Sequence, residues 1–132
     1  MLPIHLYSMY SADIKDVAIN NTNFRKVLQT GQHSQLVVMS LLPGEDIGAE
    51  THPHVDQFFY FVDGTCEATV DGVTQTVTNN QVVYVSAGSL HNFKNSAATP
   101  LKLFTIYSPP QHPDGTIHIT KADAQKAERD EK

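Results

Sequence analysis

From Gln35 onward, the chain is a series of short runs in which apolar and polar residues alternate, separated by turn-forming residues. Alternation with period two predicts β-strands with one buried face, and turns at this spacing favour an antiparallel sandwich or barrel. Asp71-Gly72 predicts a two-residue hairpin turn, because both residues tolerate positive φ, and Asn80 suits a left-handed position for the same reason. The predicted strands cover residues 36–42, 57–62, 65–70, 73–78, 82–86, 91–95 and 101–107.

The segments outside these strands predict short helices and extended chain. Ser11 is placed to cap a helix in which Ile14, Val17 and Ala18 share one face. Residues 21–31 read as an extended segment ending in a turn. Residues 120–123, Thr-Lys-Ala-Asp, predict a capping box that opens a last helix.

A length of 132 residues predicts one domain, with a barrel over about 24–108 and a tail with a short helix over about 109–132. No apolar run approaches membrane-spanning length, and residues 1–10 lack the features of an export signal. We therefore expect a cytoplasmic protein without a membrane partner. Cys66 is the single cysteine and is in phase with Ala68 and Val70, which predicts a buried structural thiol.

The net charge of −5 gives no electrostatic reason to expect nucleic acid as a partner. The basic residues are also unevenly distributed: Arg25 and Lys26 precede the main strands, and between residues 32 and 120 only Lys94 and Lys102 are basic. A barrel with two lysines and no arginine is poorly equipped to clamp a phosphate, unless Arg25 or Lys26 comes from a neighbouring subunit.

Two motifs carry the candidate chemistry, Gly44-x5-Glu50-x-His52-x4-Gln57-x6-Gly64 and Asn80-x5-Ser86-x-Gly88-x2-His91-x3-Asn95. In every spacing they resemble the paired motifs of the cupin superfamily, G-x5-H-x-H-x3or4-E-x6-G and G-x5-P-x-G-x2-H-x3-N, which hold a divalent metal. Glu50, Gln57, Asn80 and Ser86 replace histidine, glutamate, glycine and proline. Residues 21–124 resemble a subgroup of small single-domain cupins in which Glu-x-His-x4-Gln is usual, some of them labelled mannose-6-phosphate isomerase-like.

The register of the first motif needs a choice, because His52-Pro53-His54 is also a literal histidine pair. Choosing that pair would require a glycine at position 46, which is Asp46, and would leave two residues between His54 and Gln57. The pair Glu50 and His52 keeps the full spacing between glycines, and on a strand these two side chains would point to the same face. His54 is then a loop residue after the strand, close enough in sequence to line the pocket.

The resemblance implies an all-β antiparallel double-stranded β-helix, or jelly-roll barrel, with short terminal helices. It also implies that Glu50, His52, Gln57 and His91 hold a divalent metal ion, which on ligand chemistry is Fe, Mn, Ni, Co or Zn. Glu50 in place of a histidine adds a negative charge, and Gln57 in place of a glutamate removes one. The formal charge of the ligand set is therefore unchanged. Gln57 either binds the metal directly or orients a bound water.

The strand that begins at Gln57 puts Phe59 and Phe61 on the same face as the ligands, and His91 is in phase with Phe93. These aromatic residues, with His54, are the predicted pocket wall, and core packing is the simpler reading for Phe61. The remaining histidines have no partner at ligand spacing and read as structural or surface residues, although His118 could line the barrel mouth. They are His5, His33, His112 and His118.

Three classes of function follow. The first is a metal-dependent cupin acting on a small molecule, with a dioxygenase ahead of a sugar isomerase, because no general base for an isomerase is evident. The second is a module that binds a small ligand or metal without turnover. The third is a metal-free domain in which the same side chains form a buried polar network. The resemblance also implies a homodimer, with the segments before Gln35 at the interface.

Overall fold

The computed structural model describes residues 9–130 and contains nine strands and two short helices within that range. His5, one of the histidines considered above, lies outside the described residues. In chain order the elements are α1 (Ile14–Asn20), β1 (Arg25–Thr30), β2 (Gln35–Leu41), β3 (Asp56–Asp63), β4 (Cys66–Val70), β5 (Val73–Val77), β6 (Val82–Val85), β7 (His91–Asn95), β8 (Leu101–Ser108), β9 (Ile117–His118) and α2 (Lys121–Asp130).

The strands form two sheets that pack their inner faces together. A six-stranded sheet has the order β6-β3-β8-β2-β1-β9, a three-stranded sheet has the order β5-β4-β7, and every pair is antiparallel. The predicted all-β architecture with short terminal helices is confirmed. The tail after β8 adds a strand to the large sheet, because β9 pairs with β1 and places His118 opposite Arg25.

The turn residues adopt the conformations that their chemistry favours. Val70 pairs with Val73, so Asp71 and Gly72 form a two-residue loop, and their φ angles are +48° and +83°. Asn80 has a φ of +67°, as expected for the residue that stands in the glycine position of the second motif.

Alternation along the strands builds the core between the sheets. On β3, the residues Gln57, Phe59 and Phe61 are buried, and on β8, Leu103, Thr105 and Tyr107 are buried. Their registry places Gln57 opposite Tyr107 and Phe59 opposite Thr105. This end of β3 and β8 therefore presents polar side chains inside the barrel, while the other end is apolar.

Cys66 lies on the inner face of β4 and is fully buried. Burial raises the pKa of its thiol to about 12. The prediction of a buried cysteine is confirmed.

The two helices begin as local capping chemistry dictates, with one correction. Asp13, and not Ser11, caps α1, because its carboxylate accepts from the Asp16 backbone N–H at 3.2 Å. The predicted capping box of α2 is confirmed by reciprocal bonds between Thr120 and Asp123 at 3.1 and 3.2 Å. Helix α1 packs on the outer face of the large sheet, where Ala18 is fully buried.

Candidate metal centre

Glu50 is brought to His91 by a backbone bridge between the first and second motifs. The Glu50 N–H donates to the His91 carbonyl at 2.9 Å, and the His91 N–H donates to the Glu50 carbonyl at 3.0 Å. Glu50 was expected to share a strand with His52, but it forms an isolated bridge and His52 follows in irregular chain. The His52 carbonyl is held by the Gly88 N–H at 2.9 Å. Both motif segments are thus fixed by backbone bonds.

Three side chains converge at this point. One ligand atom from each of Glu50, His52 and His91 lies within 4.8 Å of the others, and Nε2 of His52 is 3.0 Å from the Glu50 carboxylate. The structure brings these three together and leaves His54 outside the group, exposed in the following turn. Two imidazoles and one carboxylate form a donor set that transition metals accept.

His91 presents one ring nitrogen with an unused lone pair. Its Nδ1 donates to the Ser89 carbonyl at 2.9 Å, which leaves Nε2 unprotonated in the neutral ring. That Nε2 is buried and has no hydrogen-bond partner among residues 9–130. A histidine that ligates metal commonly donates its other ring N–H to a backbone carbonyl in this way. The orphaned nitrogen fits a metal ligand.

Gln57 shows the same pattern of one satisfied end and one orphaned end. The side chain is 3% exposed, and its Nε2 donates to the Thr105 hydroxyl at 3.0 Å. Its Oε1 is buried without a partner in the described chain. Unsatisfied buried oxygens are costly, and a metal ion or a metal-bound water would satisfy this one. The donor set therefore fits a divalent cation.

Glu50 is ionised in this setting. Burial alone would raise its pKa, but the hydrogen bond from His52 and the charges of His52, Arg25 and His91 outweigh it and hold the pKa below its usual value. Glu50 therefore supplies one carboxylate charge to the candidate ligand group, beside the neutral amide of Gln57.

Aromatic rings close the interior side of the group. The rings of Phe59 and Phe93 are 4.1 Å apart between centroids and lie 6.2 and 6.1 Å from the His91 ring. Phe61 is fully buried one step deeper, 5.8 Å from Phe93. Phe59 and Phe93 are thus neighbours of a candidate ligand, whereas Phe61 packs behind them.

Arg25 is the main residue that the sequence pattern missed. It lies on the inner face of β1, is 1% exposed, and its guanidinium Nη1 is 3.2 Å from Nδ1 of His118. The expectation of a barrel interior without arginine is wrong, and no neighbouring subunit is needed to supply one. The sequence did carry a signal for this position. Arg25 is two residues before the buried Val27, and on a strand two such side chains point to the same face.

The tail after β8 carries two further histidines to the same end of the barrel. The Gln35 side chain holds this tail in place. Its Nε2 donates to the His112 carbonyl at 2.7 Å, and its Oε1 accepts the His112 N–H at 3.0 Å. Nε2 of His112 then lies 3.3 Å from the Tyr107 hydroxyl. His112 is therefore part of the site's surroundings, contrary to the reading as a structural or surface residue.

Electrostatics favour the neutral forms of His112 and Tyr107. Burial lowers the pKa of His112 to about 3, with the Arg25 charge acting in the same direction. Burial also raises the pKa of Tyr107. The Tyr107 ring connects the two groups, because its centroid is 6.2 Å from the His52 ring and 5.1 Å from the His112 ring.

The lysines of the barrel lie elsewhere. Lys94 is exposed, and the Lys102 ammonium donates to the Asn21 carbonyl at 2.6 Å near the end of α1. His33 is exposed in the turn between β1 and β2. Neither of these lysines therefore accompanies Arg25 inside this end of the barrel.

Residues 37–107 match the family model described as the Cupin domain, and the chain belongs to the cupin family. The uncharacterized protein YrkC of Bacillus subtilis is 42% identical over 125 residues, which cover 90% of this chain and 67% of YrkC. A crystal structure of BH2720 from Bacillus halodurans has a TM-score of 0.88 at 40% identity, covering 89% of this chain and 93% of that one.

A more distant similarity extends to a larger enzyme. Mannose-1-phosphate guanylyltransferase of Escherichia coli is 27% identical over 81 residues, covering 61% of this chain and 17% of that enzyme. The match is confined to a small part of the enzyme. In the described part of the chain, no helix has the length and apolar character that crossing a membrane requires.

Proposed function

We propose that this cupin binds a divalent transition metal through Glu50, His52 and His91 and takes a small oxygen-bearing molecule at that metal. Two observations carry the proposal: the buried Nε2 of His91 has an available lone pair, and one ligand atom from each of Glu50, His52 and His91 lies within 4.8 Å of the others. Gln57 contributes either Oε1 as a fourth donor or a hydrogen bond to a metal-bound water.

Imidazole and carboxylate donors suit Fe, Mn, Ni, Co and Zn, and the choice among them is set by availability as much as by affinity. Such an ion, when bound, supplies Lewis acidity toward a carbonyl or enol and, if it is iron, access to dioxygen chemistry. The chain provides the surroundings. Phe59 and Phe93 exclude water behind His91, and Thr105 holds the Gln57 amide in one orientation.

The two-histidine, one-carboxylate set supports an oxygenase, because this is the donor set of many iron oxygenases. An iron-loaded sample should then consume oxygen with at least one member of a panel of flavonols, diketones and thiols. Absence of uptake across the panel would favour the alternative, a cupin that holds a small ligand without turnover. Oxygen-electrode traces with metal-free protein provide the baseline.

A second candidate is proton transfer next to a carbonyl, as in an isomerase. His112, a half-buried imidazole whose Nε2 lies 3.3 Å from the Tyr107 hydroxyl, is the candidate general base, but its pKa of about 3 makes it a weak one and ranks this chemistry below oxygenation. Exchange of substrate C–H for deuterium in heavy water, lost in His112→Asn but retained in His33→Asn, would support this chemistry over oxygenation.

The metal assignment is tested by elemental analysis. Protein purified without added metal should contain close to one ion per chain, and His52→Ala with His91→Ala should remove it. His54→Ala is the matched control, because His54 is an exposed histidine two positions from His52. Unchanged metal content in the double variant would refute the site, and loss in His54→Ala would restore the alternative register. If these side chains instead form a metal-free polar network, none of these proteins should contain a bound ion.

We also infer a homodimer in the cytoplasm, with the segment before Gln35 at the interface. The inference is supported by the resemblance to small cupins. Light scattering that gives a single monomer mass would contradict the dimer.

A further inference from the structure

Arg25 carries a buried positive charge that forms no direct salt bridge with an acidic side chain of the described residues. The side chain is 1% exposed, its Nε is buried without a hydrogen-bond partner, and no carboxylate of residues 9–130 lies within 4.0 Å of the guanidinium. Buried charges in proteins are normally paired, because an isolated buried cation is strongly unfavourable. The natural partner of this cation is therefore an anion that residues 9–130 do not supply by direct contact.

The immediate neighbours of Arg25 orient it without removing its charge. His118 accepts from Nη1 through Nδ1 at 3.2 Å, and the guanidinium carbon lies 5.3 Å from the Phe24 ring centroid. Glu50 is close enough for the Arg25 charge to lower its pKa, but its carboxylate is paired with His52 at 3.0 Å. The guanidinium is held in place and keeps a donor to offer.

Arg25 also lies on the same side of the barrel as the candidate metal ligands. Tyr107 stands between them, 6.2 Å from the His52 ring, and feels the charges of both Arg25 and Glu50. An anion bound at Arg25 would therefore have its next atoms directed toward Glu50, His52 and His91. This arrangement suits one small molecule that meets the guanidinium at one end and the metal at the other.

We propose that Arg25, with the Tyr107 hydroxyl, binds the carboxylate of a small 2-oxo or 2-hydroxy acid whose neighbouring oxygen reaches the metal. The proposal rests on the metal centre proposed above. A guanidinium matches a carboxylate in shape and charge. A phosphate group carries nearly two charges, and neither Lys94, which is exposed, nor Lys102, which donates to the Asn21 carbonyl, joins Arg25 to bind it. Burial of Arg25 and Tyr107 restricts the ligand to a few atoms.

The chain is well suited to a direct test, because Arg25 and Arg129 are its two arginines and Arg129 is exposed on α2. Each Nε–H gives a separate signal in a nitrogen-15 correlation spectrum. Pyruvate and lactate should shift the Arg25 signal in a saturable way and leave Arg129 unchanged. Pyruvamide and lactamide, which lack the carboxylate, should shift neither signal. Titrations are made with zinc-loaded protein and with EDTA-treated protein, whose metal contents are measured separately.

Calorimetric titration of variants supplies the second measurement. Arg25→Met should weaken pyruvate binding by about ten- to hundredfold, because a charge-assisted hydrogen bond is lost. Lys26→Met is the matched control on the neighbouring position of β1 and should bind as the wild type does. If Arg25→Met does not fold, the wild-type spectra decide the question alone.

The outcomes separate this proposal from the metal assignment. Zinc binding without any pyruvate-dependent shift at Arg25 refutes the carboxylate site and leaves the metal centre standing. A pyruvate-dependent shift at Arg25 in protein that binds no metal supports the carboxylate site and overturns the metal centre. Inorganic phosphate that binds at Arg25 more tightly than pyruvate contradicts the proposed ligand class.

Discussion

Gln57 occupies the position at which cupin metal motifs carry glutamate, so Gln57→Glu adds a second carboxylate to the buried group. Without metal, that carboxylate would replace a side chain that is 3% exposed and lies opposite Tyr107, which also feels the charge of Glu50. An uncompensated buried charge costs about 3–5 kcal/mol, and a bond from the Thr105 hydroxyl offsets about 1 kcal/mol of this. We expect metal-free Gln57→Glu to lose about 3 kcal/mol of unfolding free energy near pH 8.

Metal should reverse the loss, because the added carboxylate is a better ligand than the amide. Free zinc at 100 times its dissociation constant contributes about 2.7 kcal/mol to the stability of the protein that binds it. Low pH should also reverse it. Burial and the neighbouring carboxylate raise the pKa of the new carboxyl group, so its penalty is present above that pKa and disappears as the pH falls through it.

The assay is thermal unfolding followed by circular dichroism, with EDTA or with excess zinc, at pH 8 and pH 5. For a chain of this size, 3 kcal/mol corresponds to a fall in Tm of roughly 10 °C. Gln75→Glu is the matched control, because it makes the same chemical change at an exposed position of β5. If the two variants behave alike with and without zinc, Gln57 does not face the ligand group.

Three further predictions concern other parts of the molecule. His112 has a pKa of about 3 when folded, so the unfolding free energy should fall as pH drops below about 6.5, by about 2 kcal/mol at pH 5. Urea titrations at pH 8 and 5 should show this loss largely abolished in His112→Asn, and equal acid sensitivity in both proteins would contradict the assignment. Cys66, with a pKa of about 12, should react with a thiol reagent such as dithionitrobenzoate only after unfolding; fast labelling of the native protein would count against its burial. Gly64→Ala should cost about 2 kcal/mol, because φ is +116° and a Cβ would meet Leu101 at 3.1 Å, whereas Gly31→Ala should be nearly neutral in the same urea assay.

The register of the first motif could be predicted from residue spacing in the sequence alone. Two alternatives, Glu50 with His52 or His52 with His54, differ by two residues in sequence. The choice between them depends on the number of residues that separate each pair from Gly44 and Gly64. Both glycines adopt positive-φ conformations that glycine favours. The structure brings Glu50 and His52 to His91 and leaves His54 exposed.

The sequence by itself determined the features that depend on neighbouring residues. Alternation predicted the inner faces of the strands, and Asp71-Gly72 and Asn80 predicted their turns, because side-chain direction and φ preference are local properties. Helix capping is also a local property, but the predicted cap at Ser11 is wrong, because Asp13, two residues later, caps the helix instead.

The tertiary structure alone decided which distant residues share the site. Arg25 meets His118 across 93 residues, and Gln35 holds His112 across 77, through the return of the tail to β1 and β2. No local pattern encodes such pairings, since they depend on which strand edge the tail meets. A buried guanidinium therefore lies beside a candidate metal centre in a barrel whose sequence suggested no arginine there.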